Sequence, residues 1–285
     1  MQVLNGKEVS QATLEKVREN TRRFESQYGR KPGLAVILVG VDPASEVYVR
    51  NKVKTCEETG FKSFHHAMAH DHTPKKLEDL VAKLNNDKNV DGILLQLPLP
   101  KGYDKDYYTN LIAPKKDVDG LGFESQGRLW AGKPNAIPCT PKGVMRILDY
   151  YKIACEGKSA VVIGRSEIVG KPMAQLLMNA NATVTICHSK TPDINVYTKD
   201  ADIVVVAAGK ARFFGKENFK KDSVVIDVGM HRQEIDGKTK LCGDVRYEEL
   251  DGHLAAATPV PGGVGPMTIA MLMENTLELA RLHQK

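Results

Sequence analysis

Tyr48 and Lys52 stand four residues apart in the phrase Tyr48-Val49-Arg50-Asn51-Lys52, so on a helix both project from one face. A lysine held beside an aromatic ring in a desolvated cleft has its pKa lowered towards neutrality, where the amine can exchange protons. The same spacing also suits a solvated lysine next to a half-buried tyrosine, and taken alone it favours that plainer arrangement. Gln96 closes the apolar run Ile93-Leu94-Leu95, inside Gln96-Leu97-Pro98-Leu99-Pro100. An amide at the end of so apolar a run needs a partner, either Lys52 or a ligand. Asp119, in Lys116-Asp117-Val118-Asp119-Gly120, offers a carboxylate that can accept two hydrogen bonds from an aminopyrimidine edge, or it simply builds an Asp-Gly turn.

A second constellation is Gly164-Arg165-Ser166-Glu167-Ile168-Val169-Gly170-Lys171-Pro172, which joins an apolar run to a helical pattern. Backbone N–H groups and the helix dipole at such a turn face an anion. The spacing departs from the dinucleotide fingerprint: Ser166 stands at the second glycine and Gly170 comes one residue late. A tight turn without ligand fits the spacing as well. Folds that hold NAD place an acid about 20 residues after the first glycine, on the ribose 2′-hydroxyl. Here Cys187-His188-Ser189-Lys190 occupies that place. With Arg165, these donors suit a 2′-phosphate and favour NADP over NAD. Glu167 is unwelcome next to phosphate and is expected to point outward.

These residues need elements to position them. Apolar positions at helical spacing (Val9, Ala12, Leu14, Val17, Phe24) predict a helix over 8–28. Leu34–Gly40 reads as a buried parallel strand. Ser45 then opens a helix that stops at Gly60. A strand, a helix and a third strand follow, and residues 98–141 read as loops and short helices. From Pro141 a helix leads into a second β-α series, with Asp236-Gly237 as a hairpin signal and Pro266 as the first residue of a long final helix. The expected class is α/β, with two doubly wound domains joined by helices and the second Rossmann-like. The division runs 1–140, completed by 266–285, against 141–265.

Composition bounds the partners. A net charge of +5 over 285 residues, with short dispersed basic runs, is no footprint for nucleic acid. Five scattered cysteines without a Cys-x-x-Cys pair argue for a reducing compartment and against a zinc ribbon. The first 20 residues carry no secretory pattern, and no apolar run reaches the roughly 20 residues that span a bilayer. A cytoplasmic protein that binds no membrane is expected.

Five phrases together carry a resemblance. Tyr48–Lys52, Gln96–Pro100, Lys116–Gly120, Gly164–Pro172 and Pro259-Val-Pro-Gly-Gly-Val-Gly-Pro-Met-Thr268 are similar, in order and over nearly the whole chain, to the bifunctional methylenetetrahydrofolate dehydrogenase/methenyltetrahydrofolate cyclohydrolase family. The resemblance implies NADP-dependent oxidation of 5,10-methylenetetrahydrofolate and hydrolysis of the methenyl product, in a pterin cleft of the first domain that faces nicotinamide held by the second. It makes Lys52 the acid–base residue, Tyr48 a folate-stacking or hydrogen-bonding group, Gln96 the residue that orients Lys52, and Asp119 a ligand of the pterin amide edge. Val49, Arg50, Asn51, Leu95 and Leu97 join the substrate site. So do Pro261, Gly262, Gly263, Val264 and Gly265, whose small side chains would permit close approach. Gly164, Arg165, Ser166 and Ser189 would hold the NADP phosphates, and Met230, often isoleucine in the family, would touch the cofactor through its backbone. A homodimer through the nucleotide domain is implied, with apolar Val204-Val205-Val206 or its neighbours contributing. No metal site is expected.

Three other readings stand beside this one. His65-His66-x-x-x-His70-x-His72 has spacing for a metal-dependent hydrolase but no matching acid cluster. A non-catalytic NADP sensor would retain the fold, but intact Tyr48, Lys52, Gln96 and Asp119 argue against it. A dehydrogenase with weak or absent cyclohydrolase activity fits the sequence as well.

Overall fold

The computed structural model describes residues 1–40, 43–69, 74–235 and 238–284. In chain order, β1 (Gln2–Val3) and α1 (Gly6–Tyr28) lead into β2 (Gly33–Val39), α2 (Pro43–Glu58), β3 (Lys62–Met68), α3 (Pro74–Asn86) and β4 (Gly92–Leu95). Two short helices follow, α4 (Lys105–Asn110) and α5 (Phe123–Trp130), then α6 (Cys139–Tyr150), β5 (Ser159–Ile163), α7 (Gly170–Asn179) and β6 (Thr183–Cys187). The remainder is α8 (Asn195–Thr198), β7 (Ile203–Val206), β8 (Val224–Asp227), β9 (His231–Ile235), β10 (Lys238–Cys242), β11 (Ala256–Ala257) and α9 (Val264–Leu282).

The chain separates into two compact units, one of residues 12–139 with 269–285 and the other of residues 1–11 with 140–268. The first is built on a three-stranded parallel sheet in the order β3-β2-β4. Its middle strand is buried at all positions, which is why it reads as an unbroken apolar run rather than an alternation. Leu77, Val81 and Leu84 of α3 pack on Ala35, Ile37 and Ile93 of the sheet. The second unit holds a six-stranded parallel sheet in the order β1-β11-β8-β7-β5-β6. In each sheet the first strand of the α/β series lies between its two successors. Ligands of open α/β sheets collect at the carboxyl ends of strands flanking such a switch point.

Several expectations are corrected in detail. α2 begins at Pro43, so Ser45 lies in the first turn and not before it. α6 begins at Cys139, not beyond Pro141, and α9 at Val264, which makes Pro266 its third residue. The chain divides at 139/140, and residues 1–11 lie with the six-stranded sheet because β1 pairs with β11. Two-residue strands such as these carry no periodicity to read. Val204, Val205 and Val206 are fully buried in β7, between β5 and β8, so they are core and offer no surface to a second copy. Asp236-Gly237 lies outside the described residues; the flanking strands β9 and β10 pair antiparallel.

Candidate active site

In the first unit, the site starts from a lysine taken out of water. Lys52 is 8% exposed on α2, and its Nζ donates to Gln96 Oε1 at 2.8 Å. Gln96 follows β4, where its N–H bonds the Ile37 carbonyl, and its Nε2 donates to the Leu97 carbonyl at 2.6 Å. The amide is thereby fixed with its oxygen towards Lys52, at the carboxyl ends of β2 and β4. Burial pushes the Lys52 ammonium below its usual pKa, with the charge of Asp119 and the Cys139 sulfur opposing. The plain arrangement of a solvated lysine beside a half-buried tyrosine is therefore inverted. It is Lys52 that is buried, while Tyr48 is 37% exposed.

Val49 and Leu95 are core, 2% and 4% exposed, whereas Arg50 and Asn51 face solvent and Leu97 is half-buried. Asp119 is half-buried, and its Oδ1 accepts the Cys139 N–H at 3.4 Å. A carboxylate there sits at the N-terminus of α6, so Asp119 has a favourable partner within the fold. Asp117 is buried and accepts the Gly122 N–H at 2.9 Å. Burial raises its pKa, and the hydrogen bonds from Gly122 and Ser125 oppose the rise.

One residue here carries no motif signal. Asn275 of α9 is fully buried, and its Nδ2 donates to the carbonyls of Val118 at 2.8 Å and Ile137 at 2.7 Å. It thus ties down both ends of the loop that presents Asp119 and Cys139. A polar residue in the middle of an apolar helix was the signal available, but its partners lie 138 and 157 residues away.

In the second unit, Gly164 follows β5 with φ of +137°, and a Cβ there would lie 2.4 Å from the Ala207 carbonyl oxygen. A Cβ on Gly170 would lie 2.3 Å from the Gly164 oxygen. Both glycines are therefore required for the strand, turn and helix to approach, and the late third glycine has a contact reason. Ser166 Oγ accepts the N–H groups of Val169 and Gly170 at 3.2 and 3.3 Å, leaving its own O–H free to donate. Glu167 pairs with Lys171 at 3.4 Å.

A cavity of about 190 Å³ opens at the carboxyl ends of β5 and β7, lined among others by Gly164, Arg165, His188, Ser189 and Lys210. Arg165 and Ser189 therefore line one cavity. Lys190 is not among the lining residues; Lys210, which the sequence reading missed, is, with its Nζ 4.6 Å from the Phe213 ring centroid. Two cations, a histidine and a hydroxyl with no carboxylate among the lining residues suit the additional phosphate of NADP, so the residues present fit that cofactor.

Met230 follows β8 and is 45% exposed. Pro261–Gly265 belongs to this second unit, not to the one that carries Lys52. Two of its glycines have reasons inside the fold: Gly262 has φ of +104°, and Gly263 is met by the backbone of Gly6, whose Cβ would lie 1.7 Å from the Gly263 oxygen. Gly265 faces open space. Val264 is buried at the start of α9, and Pro261 is exposed. Of the histidine run, His65 and His66 lie on β3, and His70 and His72 fall outside the described residues. Among the described residues no three His, Cys, Asp or Glu side chains converge as for a metal, and no helix is long and apolar enough to cross a membrane.

Comparison with known proteins bears on both units. A family profile described as "Tetrahydrofolate dehydrogenase/cyclohydrolase, catalytic domain" matches residues 4–119, and "Tetrahydrofolate dehydrogenase/cyclohydrolase, NAD(P)-binding domain" matches 138–284. The chain is 57% identical over 278 residues to the bifunctional protein FolD of Bdellovibrio bacteriovorus, covering 98% of this chain and 96% of that one. Among solved structures it resembles the bifunctional FolD dehydrogenase/cyclohydrolase of Campylobacter jejuni, with a TM-score of 0.95, 46% identity and 99% of each chain covered. It also resembles the Trypanosoma brucei methylenetetrahydrofolate dehydrogenase-cyclohydrolase complexed with NADP and an inhibitor, with a TM-score of 0.94, 38% identity, and 99% and 98% covered.

Proposed function

The chain belongs to the tetrahydrofolate dehydrogenase/cyclohydrolase family, and on that premise we propose that it oxidises 5,10-methylenetetrahydrofolate with NADP and hydrolyses the methenyl product to 10-formyltetrahydrofolate. The observation that carries the hydrolytic half is the buried Lys52 amine held at 2.8 Å by the Gln96 amide. A solvated, fully charged lysine cannot serve as a base. An amine pushed down by burial takes a proton from water as the oxygen adds to the methenyl carbon. It passes that proton to the ring nitrogen that departs when the C–N bond opens, the hydroxyl proton leaving to solvent as the formyl group forms. Gln96 aims the amine, Tyr48 supplies an aromatic face for the pterin, and Asp119 offers a carboxylate to its amide edge. Val49, Arg50, Asn51, Leu95 and Leu97 shape the surroundings of that group.

The oxidative half asks the second unit to bind and orient. NADP, when bound, supplies the acceptor for the hydride that leaves the methylene carbon. Gly164 and Ser166 present backbone and hydroxyl donors at the start of α7, while Arg165 and Ser189 receive the phosphates. Met230 meets the cofactor through its backbone, and the Pro261–Gly265 segment offers small residues to the folate. The unit of residues 12–139 with 269–285 is the folate-binding part, and that of 1–11 with 140–268 the NADP-binding part. The enzyme works as a cytoplasmic homodimer on tetrahydrofolate derivatives, without nucleic acid, membrane or metal.

The test is an absorbance assay of methenyltetrahydrofolate formation with NADP against NAD, followed by its decay. Lys52→Met is expected to abolish the decay. Normal hydrolysis by that variant would refute the assignment of Lys52, and a strong preference for NAD would refute that of the cofactor.

A further inference from the structure

Two buried carboxylates of the second unit lie outside every residue assigned above. Asp244, after β10, is fully buried and takes four donors on its two oxygens. Oδ2 accepts the N–H groups of Ala208 at 2.6 Å and Gly209 at 3.0 Å. Oδ1 accepts the Lys210 N–H at 2.9 Å and faces His231 Nε2 at 2.7 Å. Three successive N–H groups converging on one carboxylate form a backbone nest, and Gly209 at φ of +68° provides the left-handed residue it needs. The backbone carbonyl of Asp244 also accepts the N–H groups of Phe213 at 2.7 Å and Phe214 at 3.1 Å. Ala208, Lys210, Phe213 and Phe214 all line the 190 Å³ cavity.

Asp227, at the end of β8, holds Asp244 in turn. It accepts the N–H groups of Asp244 at 3.1 Å, Val245 at 2.9 Å and Gly229 at 2.9 Å. The two acids approach only because each meets a glycine of the other's segment. A Cβ on Gly229 would lie 2.5 Å from the Asp244 carboxyl carbon, and one on Gly243 would lie 1.9 Å from Asp227 Oδ2. Burial, with the charge of Asp244 adding to it and the backbone donors opposing, pushes the Asp227 carboxyl up to about 7. Such a pair is costly to keep and contributes to no hydrophobic core, so its use is to fix loops.

We propose that Asp244 is a positioning residue of the cofactor site, fixing the turn after β7 that walls the nucleotide cavity and the start of β9 just beyond Met230, with Asp227 holding Asp244 in place. The proposal rests on the reading of that cavity as the NADP site. Lys210 then reaches the cofactor only while its backbone is held by Asp244.

Asparagine at 244 keeps the volume but turns one oxygen into an amino group that faces donors. Direct NADP titration by protein fluorescence, with dehydrogenase and cyclohydrolase kinetics, tests the role. Asp244→Asn is expected to weaken NADP binding and raise its KM by about tenfold or more, the scale of one lost charge-assisted hydrogen bond. The dehydrogenase kcat at saturating NADP should stay within about threefold, and cofactor-independent methenyl hydrolysis within about twofold, because only ground-state ordering of the pocket is lost. His231→Leu removes one of four donors and should weaken NADP binding about threefold; it decides the matter on the same readouts if the asparagine variant does not fold. Unchanged NADP affinity in the folded variant, or a parallel loss of hydrolysis, would overturn the proposal. If the wild-type protein fails to bind NADP, the reading of the cavity itself falls, and this inference with it.

Discussion

Exchanging Gln96 for glutamate and for leucine should move the hydrolytic pH profile in opposite directions. The group affected is the Lys52 amine, 2.8 Å from Gln96 Oε1 and 8% exposed. A carboxylate at that place favours the ammonium. At an effective dielectric constant of about 20, unit charges about 4 Å apart attract by about 4 kcal/mol, or about three pH units as an upper limit. Part of this is lost, because the new carboxylate is itself desolvated and its second oxygen faces the Leu97 carbonyl that Gln96 Nε2 now satisfies at 2.6 Å. The acidic limb of the hydrolysis profile should therefore rise by about one to two pH units in Gln96→Glu, with a matching loss of rate at neutral pH. Leucine removes an acceptor from the ammonium, so the limb should fall. Loss of the aiming hydrogen bond, worth about 1.5–3 kcal/mol for a charged partner, should also lower the plateau by about 10- to 100-fold. The assay follows the disappearance of methenyltetrahydrofolate absorbance from pH 5.5 to 9, corrected for the uncatalysed reaction. A shift of both variants in the same direction, or of neither, would refute the claim that Lys52 is the titrating base and Gln96 its partner.

Gly170→Ala would place a Cβ 2.3 Å from the Gly164 oxygen, so the Gly164–Gly170 turn must open. NADP KM should rise by up to about 100-fold, the penalty of a misplacement of about 1 Å, with methenyl hydrolysis preserved as the check. Asn275→Leu leaves the Val118 and Ile137 carbonyls without their amide donor; the expected loss is roughly 2–4 kcal/mol in urea unfolding, with a raised folate KM because the Asp119 loop loosens. Asp91 is fully buried; burial alone would raise its pKa, but the side chains of Arg30 and His283 and the Gly33 N–H overcome this and hold it below the usual range. Its folded value being depressed, it stabilises the fold above its unfolded pKa of about 3.9, and that contribution is lost as pH falls through the folded value. Urea midpoints between pH 3 and 7 should fall more steeply for the wild type than for Asp91→Asn, and equal slopes would contradict the linkage.

Much of the site was legible because its signals are local. Tyr48 and Lys52 share one helix, Gln96 ends one strand, and the Gly164–Pro172 turn joins adjacent elements, so spacing alone put them at strand ends. What spacing left open was which reading of each residue wins. The amide of Gln96 had two possible partners, and in the fold its oxygen accepts from Lys52. Arg165 and Ser189 line one cavity, but the other cation that lines it is Lys210 and not Lys190. A lysine in a polar turn carries no mark of where the turn is folded. Val204–Val206 was misjudged as surface for the opposite reason: an apolar run in a central strand and one at an interface look alike in one dimension.

By itself, then, the sequence determined the two α/β series, the glycine-bearing turn after β5, the missing acid after β6 and membership of the family. Each rests on contacts within one β-α unit or on several short phrases taken together. Only the tertiary structure decided that Lys52 is desolvated, that Gly263 yields to the backbone of Gly6, and that Asn275 and the Asp227–Asp244 pair hold the loops in place. Those outcomes depend on groups brought together across long stretches of chain. Burial and hydrogen bonding depend on what lies around an atom, and residue order specifies that only after the whole chain has folded.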